Sequence, residues 1–197
     1  IFISIASYRD SELIPTIYDI MQNTHNIDNI VFGICLQDTQ EYFDNFPFKD
    51  TKNVKIDFIN YKNSKGVSYS RKRIQTELYN NEKYFLQIDS HMRFAKNWDI
   101  QLIKQFNTCI TMSNKPILST YPESYKRNDL NKNYLKTTYA HRISILDFDH
   151  SKFKLKVLAN QFNANISKSL WIAAGFLFTY GYWVKEVPYD ENKIGRA

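Results

Sequence analysis

The chain has 197 residues, 43% of them hydrophobic and 16% aromatic, enough for one packed domain and inconsistent with a disordered segment or a coiled coil. Its 26 basic residues exceed its 20 acidic ones, which admits nucleic acid, an anionic membrane or a phosphate-bearing ligand as partner. The excess is scattered Lys among abundant Asn and Ile, which reads more simply as a solvated surface from an AT-rich genome. The longest apolar runs, such as 30–36, are too short to span a membrane. Cys35 and Cys109 lie in apolar neighbourhoods without C-x-x-C spacing, so they read as buried thiols in a reducing compartment, with a disulfide the weaker alternative. A cytoplasmic location is therefore expected. The chain opens at Ile1 within a strand-like segment and stops at Ala197, so it is expected to be a piece of a longer protein.

In chain order, residues 1–6 read as a short β-branched strand. A helix follows over 11–23, capped by Asp10 or Ser11, with Leu13, Ile14, Ile17, Ile20 and Met21 on one face. Buried strands are predicted at 29–37 and 53–60. A polar loop ends at Gly66 and a helix runs to about residue 80. A fourth strand is expected at 83–89, a helix at 97–112 and a short fifth strand at 116–120. Strands alternating with helices imply a mostly parallel α/β sheet with right-handed crossovers. Beyond Pro122 the pattern changes: 124–136 is polar, 137–148 and 153–158 read as antiparallel strands, and 173–180 is apolar and buried. One domain over 1–197 is the economical reading.

Ligands of open α/β sheets bind beyond the carboxyl ends of the strands. Four such ends carry polar residues directly after apolar runs: Ser7 to Arg9, Gln37 and Asp38, the loop after the third strand, and Asp89 to His91. Alternate residues leaving a strand point the same way, so Asp89 and His91 can aim an oxygen and a nitrogen at one point, a pair suited to Mn²⁺. By spacing alone, an Asp capping the next helix beside a solvent-facing His is the favoured explanation. Arg71, with Lys72 and Arg73, begins the helix before the fourth strand, next to a Gly-containing loop, where one of them can hold an anion together with free backbone N–H groups, and otherwise they are surface charge. Arg9 reads as a phosphate or base clamp, or as an ion-pair partner of Asp10 or Glu12. Gly175 inside an apolar run marks close approach of a ligand or tight packing against a helix. Trp98, Trp171 and Trp183 read as core, and His25, His141 and His150 lack ligand spacing. There is no G-x-S-x-G, H-E-x-x-H, P-loop or G-x-G-x-x-G motif.

ISIASYRD at 3–10, FGICLQ at 32–37, Ser70 with Arg71, LQIDSHMRF at 86–94, Trp98 with Asp99, LSTYP at 118–122, AGF at 174–176 and EVPYD at 186–190 occur in that order. Together they resemble the polypeptide GlcNAc-transferase family whose best-known members modify hydroxyproline on a cytoplasmic protein. The chain is also similar, more distantly, to the mucin-type polypeptide GalNAc-transferases. The resemblance covers nearly the whole chain. It implies a GT-A fold with a small antiparallel part in its C-terminal third, a nucleotide-binding half over about 1–122 and an acceptor-side part over about 123–197.

The resemblance further implies a divalent metal, usually Mn²⁺, held by Asp89 and His91. It places Ser7, Arg9, Gln37 and Ser90 around the nucleotide, Arg71 near the diphosphate or donor sugar, and Gly175 and Phe176 beside the sugar and acceptor. Asp89, His91 and Arg71 are then the catalytic set of a retaining transferase moving a sugar, GlcNAc first, from a UDP donor to a hydroxyl of a protein or glycan. The Gly-Glu motif and third metal-ligand His that such enzymes carry do not occur in 192–197. A catalytically inactive nucleotide-sugar- or glycan-binding module is the alternative. A nucleic-acid partner has only the net charge behind it and is not expected.

Overall fold

The computed structural model describes residues 1–122, 124–125, 139–151, 154–163 and 166–190. The elements are β1 (Phe2–Tyr8), α1 (Leu13–Asn23), β2 (Val31–Asp38), α2 (Gln40–Asp44), β3 (Val54–Asn60), α3 (Val67–Arg73), β4 (Tyr84–Asp89), α4 (Trp98–Met112), β5 (Ile117–Ser119), β6 (Tyr139–Asp149), β7 (Lys154–Asn163), β8 (Phe176–Tyr180) and α5 (Trp183–Glu186). Among the described residues, six strands form one sheet in the order β3-β2-β1-β4-β8-β5. β1 pairs in parallel with β2 and β4, and β2 with β3, while β8 runs antiparallel to both β4 and β5. β6 and β7 form a separate antiparallel pair. This is the expected GT-A-type α/β architecture with its antiparallel part in the C-terminal third.

Alternation along the strands gives the sheet two unlike faces. Ile3, Ile5, Phe32, Ile34, Leu36, Leu86, Ile88 and Phe178 share one core with Leu13, Ile17 and Ile20 of α1 and Trp98, Leu102 and Phe106 of α4. The α1 stripe is the expected one, with Ile14 and Met21 at its half-buried margin. Pro15 is tolerated because it lies in the first turn, where its missing N–H has no intrahelical partner. On the opposite face Phe2, Cys35 and Phe85 pack against Ile74, Tyr79 and Val184. Cys35 and Cys109 are free and buried.

Three differences from the sequence reading have local causes. α2 was not expected; Thr39 caps it by accepting the Tyr42 N–H, and Tyr42 and Phe43 pack on the core edge. The helix after Gly66 is α-helical only to Arg73 and continues as a π-turn over 74–78. Arg71 does not begin the helix: Gly66, at φ 93°, forms the N-cap, and Arg71 lies a full turn in. β7 runs five residues beyond the expected end at 158.

Candidate active site at the carboxyl edge of the sheet

Because β1 to β4 are mutually parallel, all four of their carboxyl ends lie along one edge. β1 sits between β2 and β4, so the winding order reverses there, the point at which open α/β sheets form their ligand crevice, here between the ends of β1 and β4. Ala6 is paired with Asp89 and Tyr8 with Gln37, which sets the β1 exit between the two candidate groups.

Arg71 reaches the end of β4 from α3. Its Nη2 donates to Asp89 Oδ1 at 3.3 Å and to the Ala174 carbonyl at 3.1 Å. The side chain is only 8% exposed, and its Nε is buried with no hydrogen-bond partner. A buried guanidinium with an unsatisfied N–H is costly unless an anion completes it. Gly175 lies against the same carboxylate: a Cβ there would collide with Asp89 Oδ2. Its carbonyl also accepts the Asp89 N–H at 3.2 Å. The glycine therefore makes room for Asp89, a third reading besides ligand approach and helix packing.

His91 follows Asp89 by two residues and is 60% exposed on its side chain. Its Nδ1 lies 2.7 Å from Asp10 Oδ2. The same oxygen accepts the Ser90 hydroxyl at 2.6 Å, and Asp10 Oδ1 accepts the Glu12 N–H at 2.9 Å. Burial pushes the Asp10 carboxyl up, but these hydrogen bonds outweigh it and hold the group below its ordinary value. Buried polar groups of α1 fasten the backbone that carries His91. Thr16 Oγ1 donates to the Ser90 carbonyl and accepts the Met92 N–H, and Asp19 accepts the Phe94 N–H at 2.6 Å. Arg93 is paired with Glu12 at 2.6 Å, and the Tyr125 hydroxyl donates to the same Glu12 oxygen at 2.8 Å. Burial and then that bond push the Tyr125 phenol up to about 12.

Arg9 leaves β1 in the left-handed region, at φ 48°, a conformation costly for a residue with a side chain. Its N–H donates to the Gln37 carbonyl at 3.0 Å, and its guanidinium lies 4.6 Å from the Tyr61 ring centroid. It pairs with neither Asp10 nor Glu12, the two acids near it in sequence. Gln37 is buried, accepting from Ser64 Oγ at 2.6 Å and donating to the Ser7 carbonyl at 3.4 Å. The Ser7 hydroxyl is buried without a partner.

The edge thus gathers Ser7, Arg9 and Gln37 on one side of the crevice, and Arg71, Asp89, Ser90, His91 and Gly175 on the other. Phe176 packs with the large core, and the Ser90 hydroxyl is engaged by Asp10. Lys72 takes no part, and Arg73 is held by Asp57 on β3, with bonds of 2.5 and 2.8 Å. Sequence reasoning did not pick out Asp10 as the partner of His91. Nor did it find Gln87 and Tyr189, which back Arg71. Gln87 donates to the Ala174 carbonyl and to the Tyr189 hydroxyl, and the Arg71 guanidinium lies 5.7 Å from the Tyr189 ring. The available signal was a Gln at an inward strand position, since a buried amide must find partners.

A divalent cation is compatible with this edge. Asp89 Oδ2 and His91 Nε2 take no hydrogen bond from the described residues, and an oxygen with an imidazole nitrogen suits Mn²⁺. Among the described residues no group of three or more His, Cys, Asp or Glu side chains could hold a metal ion.

Comparison with known proteins bears on the same regions. No curated protein matches the chain in sequence. S. aureus TarS, residues 1–349, is similar in structure with a TM-score of 0.50 and 10% identity, over 94% of this chain and 48% of that one. A second TarS 1–349 structure, in complex with UDP-GlcNAc, has a TM-score of 0.48 and 11% identity over 70% of this chain and 38% of that one. HddC from Yersinia pseudotuberculosis has a TM-score of 0.41 and 13% identity over 96% of this chain and 81% of that one. The chain spans less than half the length of the TarS chains it matches, and at such identity the likeness extends to the fold alone. A family model, Glycosyltransferase (GlcNAc), matches residues 1–47 and 43–192. With that match over nearly its whole length, and with a GT-A-type sheet beneath it, the chain belongs to the GlcNAc glycosyltransferase family.

Proposed function

We propose that residues 1–197 form one GT-A domain that transfers GlcNAc from UDP-GlcNAc to a protein hydroxyl, hydroxyproline being the first acceptor to test, with retention of anomeric configuration and with Mn²⁺ or a similar cation. Residues 1–122 form the nucleotide side and the remainder the acceptor side. The observation that carries the reading is Arg71, a buried guanidinium with an unpaired Nε, beside the exposed Asp89/His91 pair at the sheet's switch point. That combination suits a diphosphate, whose negative charge needs both a fixed cation and a metal.

Asp89 and His91 would hold the cation, which when bound neutralises charge on the departing UDP. Arg71 is held by Asp89 and Ala174, so its charge is fixed before the donor arrives and needs little reorganisation. Arg9 and Tyr61 offer a cationic and an aromatic face to the nucleotide end. Ser7 and Gln37 line the same side, and Ser90 acts through Asp10. The AGF segment borders the sugar through Gly175, with Phe176 anchored in the core behind it. The buried free thiols Cys35 and Cys109 support a cytoplasmic site. No helix among the described residues is long and apolar enough to cross a membrane.

The test is calorimetric titration of UDP and UDP-GlcNAc with Mn²⁺ and again with EDTA, using Asp89→Ala as control, followed by transfer to a hydroxyproline peptide. Metal-dependent binding lost in the variant is the expected result. Binding without transfer would favour the non-catalytic module, and metal-independent binding unaffected by the substitution would overturn the proposal.

A further inference from the structure

Asp10 enters the reading above only as the acceptor of the Ser90 hydroxyl, and its geometry is specific. Both of its oxygens already accept hydrogen bonds: Oδ1 from the Glu12 N–H at 2.9 Å, and Oδ2 from the Ser90 hydroxyl at 2.6 Å. The His91 Nδ1, 2.7 Å from Oδ2, therefore faces an acceptor on a carboxylate fixed from two other directions. We propose that Asp10 is a positioning residue that locks His91 in its Nδ1–H tautomer, so that the Nε2 lone pair is the one presented to the crevice.

Which imidazole nitrogen carries the proton is set by the hydrogen bond the other makes. Isolated neutral imidazole side chains favour Nε2–H, which would leave the exposed nitrogen of His91 a donor and unable to ligate a cation. A carboxylate at Nδ1 reverses that preference and fixes the ring plane. The fold makes the contact possible across 81 residues of sequence. Asp10 stands two residues beyond β1, His91 two beyond β4, and those strands are paired neighbours. Thr16 and Asp19 then hold the 90–94 backbone against α1, so both partners are anchored to one helix. The short side chain also explains the residue type, because its Oδ1 must close a turn onto the Glu12 N–H while Oδ2 reaches the ring.

The use of the freed lone pair rests on the metal reading above, but the tautomer itself does not. The experiment is a long-range ¹H–¹⁵N spectrum of the ¹⁵N-labelled chain without metal at pH 9, where imidazoles are neutral, with His91→Gln identifying the resonances. Wild type is expected to show Nδ1 protonated and Nε2 bare. Asp10→Asn is nearly isosteric, and its one oxygen is expected to stay with the Glu12 N–H. Its amide NH₂ then faces His91 and should drive the ring to Nε2–H. Mn²⁺-dependent UDP affinity of that variant should fall by roughly 10- to 100-fold. Nε2–H in the wild type overturns the inference without need of any variant, as does an Asn variant that keeps the tautomer. A wild-type Nδ1–H ring in a chain that binds UDP without Mn²⁺ would leave the inference standing and remove the metal reading.

Discussion

The two faces of the central sheet are built from the same strands and do different work. On the α1/α4 face β1, β2 and β4 contribute Ile3, Ile5, Phe32, Ile34, Leu36, Leu86 and Ile88 to one apolar core. On the α3 face β3 and β4 present Asp57, Gln87 and Asp89, where Arg73 meets Asp57, Arg71 meets Asp89, and Tyr189 joins Gln87 to Gln75. Apolar burial is non-directional and tolerates many arrangements of similar volume. A buried polar network requires each partner at a particular distance and angle. The first face therefore holds the fold together, and the second holds charged groups in place at the sheet's carboxyl edge.

Substitutions on each face should separate these roles. Phe106→Ala on the apolar face should cost roughly 3–5 kcal/mol in denaturant unfolding, while the UDP affinity of the folded fraction stays at the wild-type value. Asp89→Asn should reverse that pattern, with transfer falling by roughly 10²- to 10³-fold and the thermal midpoint little changed. If Phe106→Ala lost affinity at full folding, the division between the faces would fail. Gly175→Ala stands between the two, because its Cβ displaces the Asp89 carboxylate. It should cost about 1–3 kcal/mol of stability and weaken UDP binding together.

Smaller effects refine the polar face. Tyr189→Phe removes one acceptor from Gln87, which keeps the Ala174 carbonyl at 2.8 Å. A loss of about 1 kcal/mol, seen as a melting point lowered by about 2–4 °C, is expected. The mildest prediction concerns Cys35, whose thiol burial pushes up to about 12. In the unfolded chain it ionises near 9.0, so between those values the unfolded state has lost a proton that the folded state keeps. Stability should thus decline as pH rises through that window, and less so in Cys35→Ser. The native thiol should resist a thiol reagent at pH 8 and react on unfolding.

Much of this organisation was legible in the sequence. Apolar periodicity located β1 to β5, α1 and α4, because burial of one face imposes a period of 3.6 or 2 whatever the partner. Polar residues directly after apolar runs marked Ser7, Gln37 and Asp89 as strand-end groups. Arg71 was singled out as the start of the helix, whereas Gly66 is the N-cap and Arg71 lies a turn further in, because helix ends are set by capping geometry that residue type marks only loosely. Asp10 read as a cap and Tyr189 as part of a motif, because a partner 81 or 102 residues away leaves no trace in local spacing.

Residue order dictates the alternation of elements, the apolar stripe of each and the chemical character of each strand end, all of them local consequences. Tertiary structure alone decided that β8 returns between β4 and β5, bringing Gly175 against Asp89, and that β1 lies beside β4, bringing Asp10 to His91. Strand order depends on which faces bury best against one another over the whole chain, and no window of sequence contains that information.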